Sequence, residues 1–463
     1  MRLSIWLLAL ATAAIAGLTL AATGPAAVSA APAPGRGVTA ASGTRLWEAR
    51  FTSAGRGAFG SAAALSHDGS VLFTAGAGAK RVREANGIPD EGTVLAYHAG
   101  TGAALWRASY NPGKRSNSNF YALALSPDGS AVYATGGTAP AIGQSVSAVT
   151  VAYNATTGAP IWTNASATPG PGGSIAVSPD GSTVFVANSV LNTTGPDLVA
   201  LNAATGTVRW TASPGTASAS QVIVSPDGST VFVLAQGLLA AYDAATGAPR
   251  WSQTPAQISP ASIAVSPDGT KVFVTGLNFN GSPDELRVLA VDAATGASLW
   301  SRQYQGPHGS SFGMSAAFSP DSGIVYVAGY TRAAGVFNTY MVAVWAYHAA
   351  TGASVWQTTL PALTMVASGD TDHIAVSPDG TKIFIATGAE GYSAARAYSA
   401  AALNAATGAR LWAQGLHVSG NHWPSFASSL AVSPDGTRIF VTGTVTSPTP
   451  NPVGSMATVA YGS

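Results

Sequence analysis

Two short phrases alternate along this chain, eight copies of each, and they constrain its fold more than any other feature of the sequence. The first is an apolar run, a Ser-Pro-Asp-Gly turn and a second apolar run such as Val-Phe-Val. Its serine falls at Ser66, Ser126, Ser178, Ser225, Ser266, Ser319, Ser377 and Ser433. Two copies depart from the pattern. His67 replaces the proline, and in Asp321-Ser322-Gly323 the glycine comes one residue late. The second phrase is Val-Ala-Tyr-x-Ala-Ala-Thr-Gly-x-x-x-Trp. Its tryptophan falls at Trp47, Trp106, Trp162, Trp210, Trp251, Trp300, Trp356 and Trp412. Successive phrase serines are 60, 52, 47, 41, 53, 58 and 56 residues apart. A strand-bearing repeat of about 40–60 residues indicates a propeller or a solenoid.

Each phrase reads as a hairpin. In Ile175-Ala176-Val177, Ser178-Pro179-Asp180-Gly181, Thr183-Val184-Phe185-Val186, proline stands where a type I turn wants φ near −65°, and glycine ends the turn. In the second phrase Asn154, Asn202, Asp243, Asp292 or Asn404 opens the turn, where its side chain bonds the backbone ahead. Two hairpins make four short strands, A to D, which is one propeller blade. The last unit ends at Ala457-Thr458-Val459-Ala460-Tyr461-Gly462-Ser463 without its fourth strand. A matching piece, Ala40 to Trp47, stands near the start. Terminal strand C is therefore expected to pair with an N-terminal strand D, closing a ring of eight blades and leaving no open seam. The predicted fold is an all-β, eight-bladed propeller of four-stranded antiparallel blades over residues 43–463.

Composition agrees. Charged residues are 9% of the chain, and only 4 Lys and 5 Glu are present, which disfavours helix surfaces. Hydrophobic residues at 47% exclude a disordered chain. A net charge of +1 gives no electrostatic case for nucleic acid or an anionic membrane. With no cysteine there is no disulfide, thiolate metal site, cysteine nucleophile or lipobox anchor.

The phrase from Tyr242 and Asp243 through Thr246, Gly247 and Trp251 resembles the tryptophan-docking motif of the pyrroloquinoline-quinone (PQQ)-like propeller repeats. The phrase Val224-Ser225-Pro226-Asp227-Gly228 with Val231-Phe232-Val233 resembles the YVTN-type, WD-repeat-like propellers. The resemblance covers nearly all of residues 40–463 and implies eight blades with tryptophan-mediated contacts between them. It carries fold more than function, since both families contain enzymes and pure binding modules.

Met1-Arg2, an apolar run from Leu3 to Leu20, and Val28-Ser29-Ala30 read as a signal peptide over residues 1–31, cut near Ala30 or Ala31. An uncleaved membrane anchor is the other reading. Residues 32–42 read as a flexible lead. The expectation is a secreted, extracellular monomer with no membrane span after cleavage.

Function is expected where the repeats differ. The A–B and C–D turns are short and alike and share one face. The B–C and D–A connections are long, unlike each other, and emerge on the opposite face, where binding usually resides. Four residues before the turn serine, strand A carries Ala62, Ala122, Ser174, Gln221, Ser262, Ser315, His373 and Ser429. Only His373 is titratable, and Asp370 and Asp372 precede it. His373 and Asp372 therefore lead the candidate ligand site, with His422, Trp423, Tyr121 and Arg81 as secondary candidates. His417 and Asn421 accompany His422; His308 and Met314 are weaker candidates still. Lys80, Arg81 and Arg83 read as pairing with Glu84, Asp90 and Glu91 at the surface. The eight tryptophans read as structural wedges, and the Ser-Pro-Asp-Gly carboxylates as turn formers rather than calcium ligands. Sequons stand at Asn154, Asn164, Asn192 and Asn280.

The expected function is a non-catalytic, exported propeller that binds a protein, glycan or small ligand. PQQ with calcium, as in a quinoprotein oxidoreductase, is the alternative implied by the resemblance, but no Glu/Asn/Asp calcium set can be matched residue by residue. A lactonase or other hydrolase using His373 and Asp372 is a third reading. Gly309-Ser310-Ser311-Phe312-Gly313 fits a nucleophile motif only by letter, because that motif needs a strand-to-helix elbow. No catalytic residue and no metal ligand is assigned.

Overall fold

The computed structural model describes residues 29–30, 41–53, 57–79, 90–188, 197–214, 219–235, 237–255, 258–278, 285–306, 309–333, 339–366, 373–388, 396–417, 425–446 and 454–463. Eight antiparallel sheets form eight blades. Blade 1 is typical: A Ala58–Leu65, B Val71–Ala79, C Asp90–His98, D Ala104–Tyr110, hydrogen-bonded in that order. The innermost strands of successive blades pack side by side right round the ring, and that of blade 8 (Phe426–Val432) packs on that of blade 1.

Ring closure follows the expected pairing. Arg45–Phe51 pairs antiparallel with Gly454–Gly462, setting Trp47 opposite Ala460 and Phe51 opposite Met456. The chain ends are also tied directly. Gly43 N donates to Gly462 O at 2.8 Å, Gly462 N to Thr44 O at 2.9 Å, and Ser42 Oγ to Ser463 O at 2.9 Å. Ala41 and Ser42, expected to lie in a flexible lead, thus belong to the closing turn. Ser29 and Ala30 pair with Arg50 and Ala49 on the outer edge of this blade.

The two sequence phrases meet inside each blade. The aromatic residue of the B strand packs on the same blade's tryptophan, as Phe73 does on Trp106 (5.8 Å) and Phe185 on Trp210 (5.7 Å). That tryptophan then reaches the next blade. Its Nε1 donates to an alanine carbonyl in the neighbouring C–D turn, from Trp47 to Ala99 (2.8 Å) round to Trp356 to Ala405 (3.0 Å). Its ring presses on that turn's glycine. A Cβ at Gly102 would sit 2.6 Å from Trp47 Cε3, and Gly102 has φ +71°, so the position needs glycine on both grounds.

The Ser-Pro-Asp-Gly turns share one hydrogen-bond scheme. In blade 2, Ser126 Oγ donates to Asp128 Oδ1 and accepts from Ala131 N, while Ser130 N donates to the same carboxylate oxygen. Proline of one blade packs on the turn glycine of the next, as Pro179 does on Gly228. Each departure in sequence has its local consequence. With His67 in place of proline, nothing lies within 4 Å of a Cβ built at Gly129. The late glycine puts Ser322 at φ 60°, and its Oγ accepts from Asp268 N of the previous blade at 3.0 Å.

Candidate functional site

The opposite end of the blades is built differently. In seven inner strands the A–B register slips by one residue at one level, between Gly60 and Ala62, Phe120 and Ala122, Gly172 and Ser174, Ala219 and Gln221, Pro260 and Ser262, Gly313 and Ser315, and Ala427 and Ser429. This is a β-bulge, which bends a strand and re-aims its side chains. The bend brings strand A's carbonyl against strand B. A Cβ at Gly76, Gly136, Gly329 or Gly443 would come within 2 Å of the carbonyl oxygen of Phe59, Asn119, Phe312 or Phe426. The bulge and its paired glycine were not anticipated from the sequence. The signal was a glycine inside an otherwise β-branched or aromatic B strand.

The bulges fix what the inner positions do. Several of these residues, expected to line the channel, instead join blades. Ser174 Oγ accepts from Val222 N at 3.2 Å, and Gln221 accepts from Ile263 N at 2.9 Å and donates to Ala261 O at 3.1 Å. Ser429 donates to Ala63 O at 3.4 Å. Their polar groups are spent on the ring's own rigidity.

Tyr121 occupies the bulge of blade 2 and is 41% exposed. Its ring lies beside Val146 and Pro171 over Gly137; a Cβ there would sit 2.5 Å from Val146 Cγ1 and 3.7 Å from Tyr121 Cε2. Phe59, on the adjacent inner strand of blade 1, is 47% exposed. Exposed aromatic rings thus stand on neighbouring inner strands at the end of the ring bearing the unlike connections.

His373 opens the inner strand of blade 7, opposite Ala386. It is half-buried, and desolvation lowers its imidazole to about 4, so it is neutral near pH 7. That state suits a hydrogen-bonding or metal-binding nitrogen and makes a weak general base. Asp372, Arg81, His422 and Trp423 lie outside the described residues, as do Asp370, His308, Asn421, Lys80, Arg83, Glu84, Asn192 and Asn280. Met314 occupies the bulge of blade 6 and is partly buried.

Glu91 pairs with Arg107 of strand D, while the basic cluster with which it was read as pairing lies outside the described residues. Ser311, the serine of the nucleophile-like motif, lies in an inner strand and is fully buried; it donates to Thr331 Oγ1 and accepts from Gly306 N, each at 3.0 Å. It has no elbow geometry. Asn154 Oδ1 caps its own turn, and Asn164 Nδ2 donates to Gly206 O at 2.9 Å in the next blade. One unforeseen titratable group is Asp197, beside the B–C connection of blade 3. It is 4% exposed, and burial raises its carboxyl to about 6. The sequence signal was an acid placed immediately before the apolar run of a C strand.

Among the described residues no three His, Asp or Glu side chains are grouped to hold a metal ion, and no helix is long and apolar enough to cross a membrane.

The family described as outer membrane protein assembly factor BamB matches residues 146–340. Among solved structures, hydrazine synthase of Kuenenia stuttgartiensis aligns at 17% identity and TM-score 0.50, covering 69% of this chain and 91% of that one. The C-terminal WD40 domain of Sif2 aligns at 12% identity and TM-score 0.56, covering 87% and 96%. BamB from Moraxella catarrhalis aligns at 14% identity and TM-score 0.47, covering 90% and 97%. At these identities the likeness concerns the fold. No curated protein matches the chain.

Proposed function

We propose that this PQQ-like β-propeller repeat protein is an exported binding module, a monomer, that takes a protein, glycan or small ligand on the face of its B–C and D–A connections. The observation that carries the reading is the contrast between the two ends of the ring. At one end the Ser-Pro-Asp-Gly turns repeat one hydrogen-bond scheme and spend their side chains on it. At the other, connections run from Ala235 to Leu238 in one blade and from Ala79 to Asp90 in another. That end also presents Tyr121 and Phe59, and His373 stands there at the level of Ala122, the residue after Tyr121. Diversity on one face of a rigid scaffold is how such scaffolds bind. Aromatic rings beside neutral polar groups suit the apolar face of a sugar or an aromatic side chain. Export is supported by the apolar N-terminal run and Val28-Ser29-Ala30.

A calcium-held quinone does not fit the axial donors. The inner positions carry alanine, serine, glutamine and histidine but no carboxylate, and Ser174 and Gln221 are engaged between blades. Calcium requires six to eight oxygen ligands with carboxylates among them. The reading therefore routes no chemistry through PQQ.

The test is a glycan and peptide array probed with the mature chain, then repeated with Tyr121→Ala, Phe59→Ser and paired Asp372→Ala/His373→Ala variants. A hit weakened at least tenfold in folded loop-face variants supports the reading. A hit unaffected by all of them, but lost on folded Asp128→Asn or Asp227→Asn variants, overturns it.

A further inference from the structure

We propose that the cleft between blades 2 and 3, on the outer wall of the ring, is a binding site for a phenol-sized aromatic ring. The cleft has a volume of about 260 Å³. Ala148, Val186, Val199, Leu201 and Val208 give it apolar walls, and Thr150, Asn164 and Thr211 supply polar groups.

What belongs in this place is shown by five of the other blades; in blades 3 and 4 the residue four past the tryptophan is a proline, Pro214 or Pro255. At the level four residues past the docking tryptophan, strand D of one blade, strand C beside it and strand A of the next blade meet between the sheets. Blade 1 brings Gly92 opposite Tyr110, and blade 2 adds Phe120, whose ring lies 6.3 Å from that of Tyr110. Blade 5 brings Leu286 opposite Tyr304, blade 6 Val342 opposite Leu360, blade 7 Tyr398 opposite Leu416, and the closing blade Met456 opposite Phe51. Each of these interfaces is filled by at least one large side chain of its own. In blade 2 the corresponding residues, one step beyond the Val149–Ala165 pair, are Ala148 and Ser166. In blade 3 the third position, Gly172, is paired with Asn188 as Phe120 is with Gly136, but it is closed by Thr135, whose Oγ1 lies 2.2 Å from where a Cβ would stand. Ala148 and Ser166 are both small and both line the cleft, which is the space that a large side chain at either would take.

The vacated place is therefore shaped by the fold for a tyrosyl, phenyl or leucyl group. An apolar cavity of such a kind retains affinity for the ring it lacks, because its lining regains the dispersion contacts that a void forfeits. The amide and hydroxyl groups on the walls favour a ring with a hydroxyl over a plain hydrocarbon. This site is separate from the loop face: it lies between outer strands rather than at the ends of inner ones.

The experiment is methyl-labelled NMR of the full mature chain titrated with p-cresol and, separately, N-acetyl-tyrosinamide. Saturable shifts are expected at the methyls of Val186, Val199, Leu201 and Val208, and a loss of at least tenfold in affinity with Ser166→Tyr, which supplies the missing side chain. Ser166→Leu, patterned on Leu360 and Leu416, gives a second filled variant should tyrosine prevent folding. Response to p-cresol identifies a free phenol as ligand, and response to N-acetyl-tyrosinamide alone identifies a tyrosyl group of a peptide. No shift with either compound up to millimolar concentration, or equal shifts in wild type and filled variants, overturns the proposal.

Discussion

Gly43 lies so close against Trp412 that a Cβ on it would sit 2.9 Å from the indole Cγ. It stands to Trp412 as Gly102 stands to Trp47 and Gly408 to Trp356, although those glycines belong to continuous turns. Here the turn is divided. Strand C comes from the end of the chain, and the glycine comes from its beginning. The division has one visible cost: Trp412 Nε1 is buried with no acceptor among the described residues, whereas the equivalent nitrogens of Trp47 and Trp106 reach Ala99 and Ala155. A missing hydrogen bond is tolerated at the seam because the indole still buries its rings there.

Gly43→Ala is expected to lower stability by about 1–3 kcal/mol, since the residue sits at φ +78° and faces the indole. Thermal unfolding of the purified variant checks this, with Gly113→Ala as control because nothing lies within 4 Å of a Cβ there. Equal melting of Gly43→Ala and wild type would show that the split turn does not hold the ring.

Removing the chain up to Phe51 is expected to cost far more than its length suggests. It deletes the strand bearing Trp47 and Phe51, both about 1% exposed, and uncovers Gly454–Gly462. Truncating one fully buried aromatic typically costs ~3–5 kcal/mol. Calorimetry of a chain beginning at Thr52 should show a lower and broader transition than the mature protein. An unchanged transition would contradict closure by this strand.

The turn carboxylates set the acid limit of stability. Hydrogen bonds from the turn serines, chiefly, hold Asp68, Asp128 and Asp379 at about 2, below the usual 3.8. Because the folded value is the lower one, their contribution is fully present above about pH 4 and is lost as pH falls toward 2. Melting temperature should therefore drop between pH 4 and 2. Asp128→Asn should melt lower than wild type at pH 5 and show a shallower drop, with parallel acid curves ruling this out.

His373 and Asp197 act in opposite directions over a higher window. Burial lowers His373 from 6.5 to about 4, so the unfolded chain takes its proton first, and stability falls as pH drops from 6.5 to 4. Burial raises Asp197 from 3.8 to about 6, so its unfavourable charge is relieved, and stability rises, as pH falls from 6 toward 4. In an Asp197→Asn background the histidine's effect should stand alone, and adding His373→Gln should flatten the pH 6.5–4 profile. A profile unmoved by His373→Gln would show that the imidazole is solvated.

The blade count, the closure and the tryptophan docking were legible because each is written as a local phrase. Asn202 opens a turn, Gly206 ends it and Trp162 fills the space over it, all at fixed spacing. The bulged inner strands were harder to read. Their mark is Gly136 or Gly329 within a strand, and its meaning depends on the carbonyl of Asn119 or Phe312, whose approach is a tertiary fact. The role of Gln221 was likewise hidden, since its partners lie 40 and 42 residues away in the next blade. The cleft at Ser166 can be found only by comparing Ala148 and Ser166 with the residues at the same level of other blades, which no single repeat displays. His373 was found because it breaks a series of small neutral residues, while its environment, which keeps it neutral, was not in the spacing.

Hydrogen-exchange footprinting of the mature chain with and without its array-identified ligand tests loop-face binding most directly. Protection is predicted at Ala58–Leu65, Asn117–Leu125 and His373–Val376, the inner strands bearing Phe59, Tyr121 and His373, with exchange at Ser178 to Gly181 and the other Ser-Pro-Asp-Gly turns unchanged. Protection confined to those turns, with the inner strands exchanging as in the free protein, would place the binding face on the wrong side of the ring.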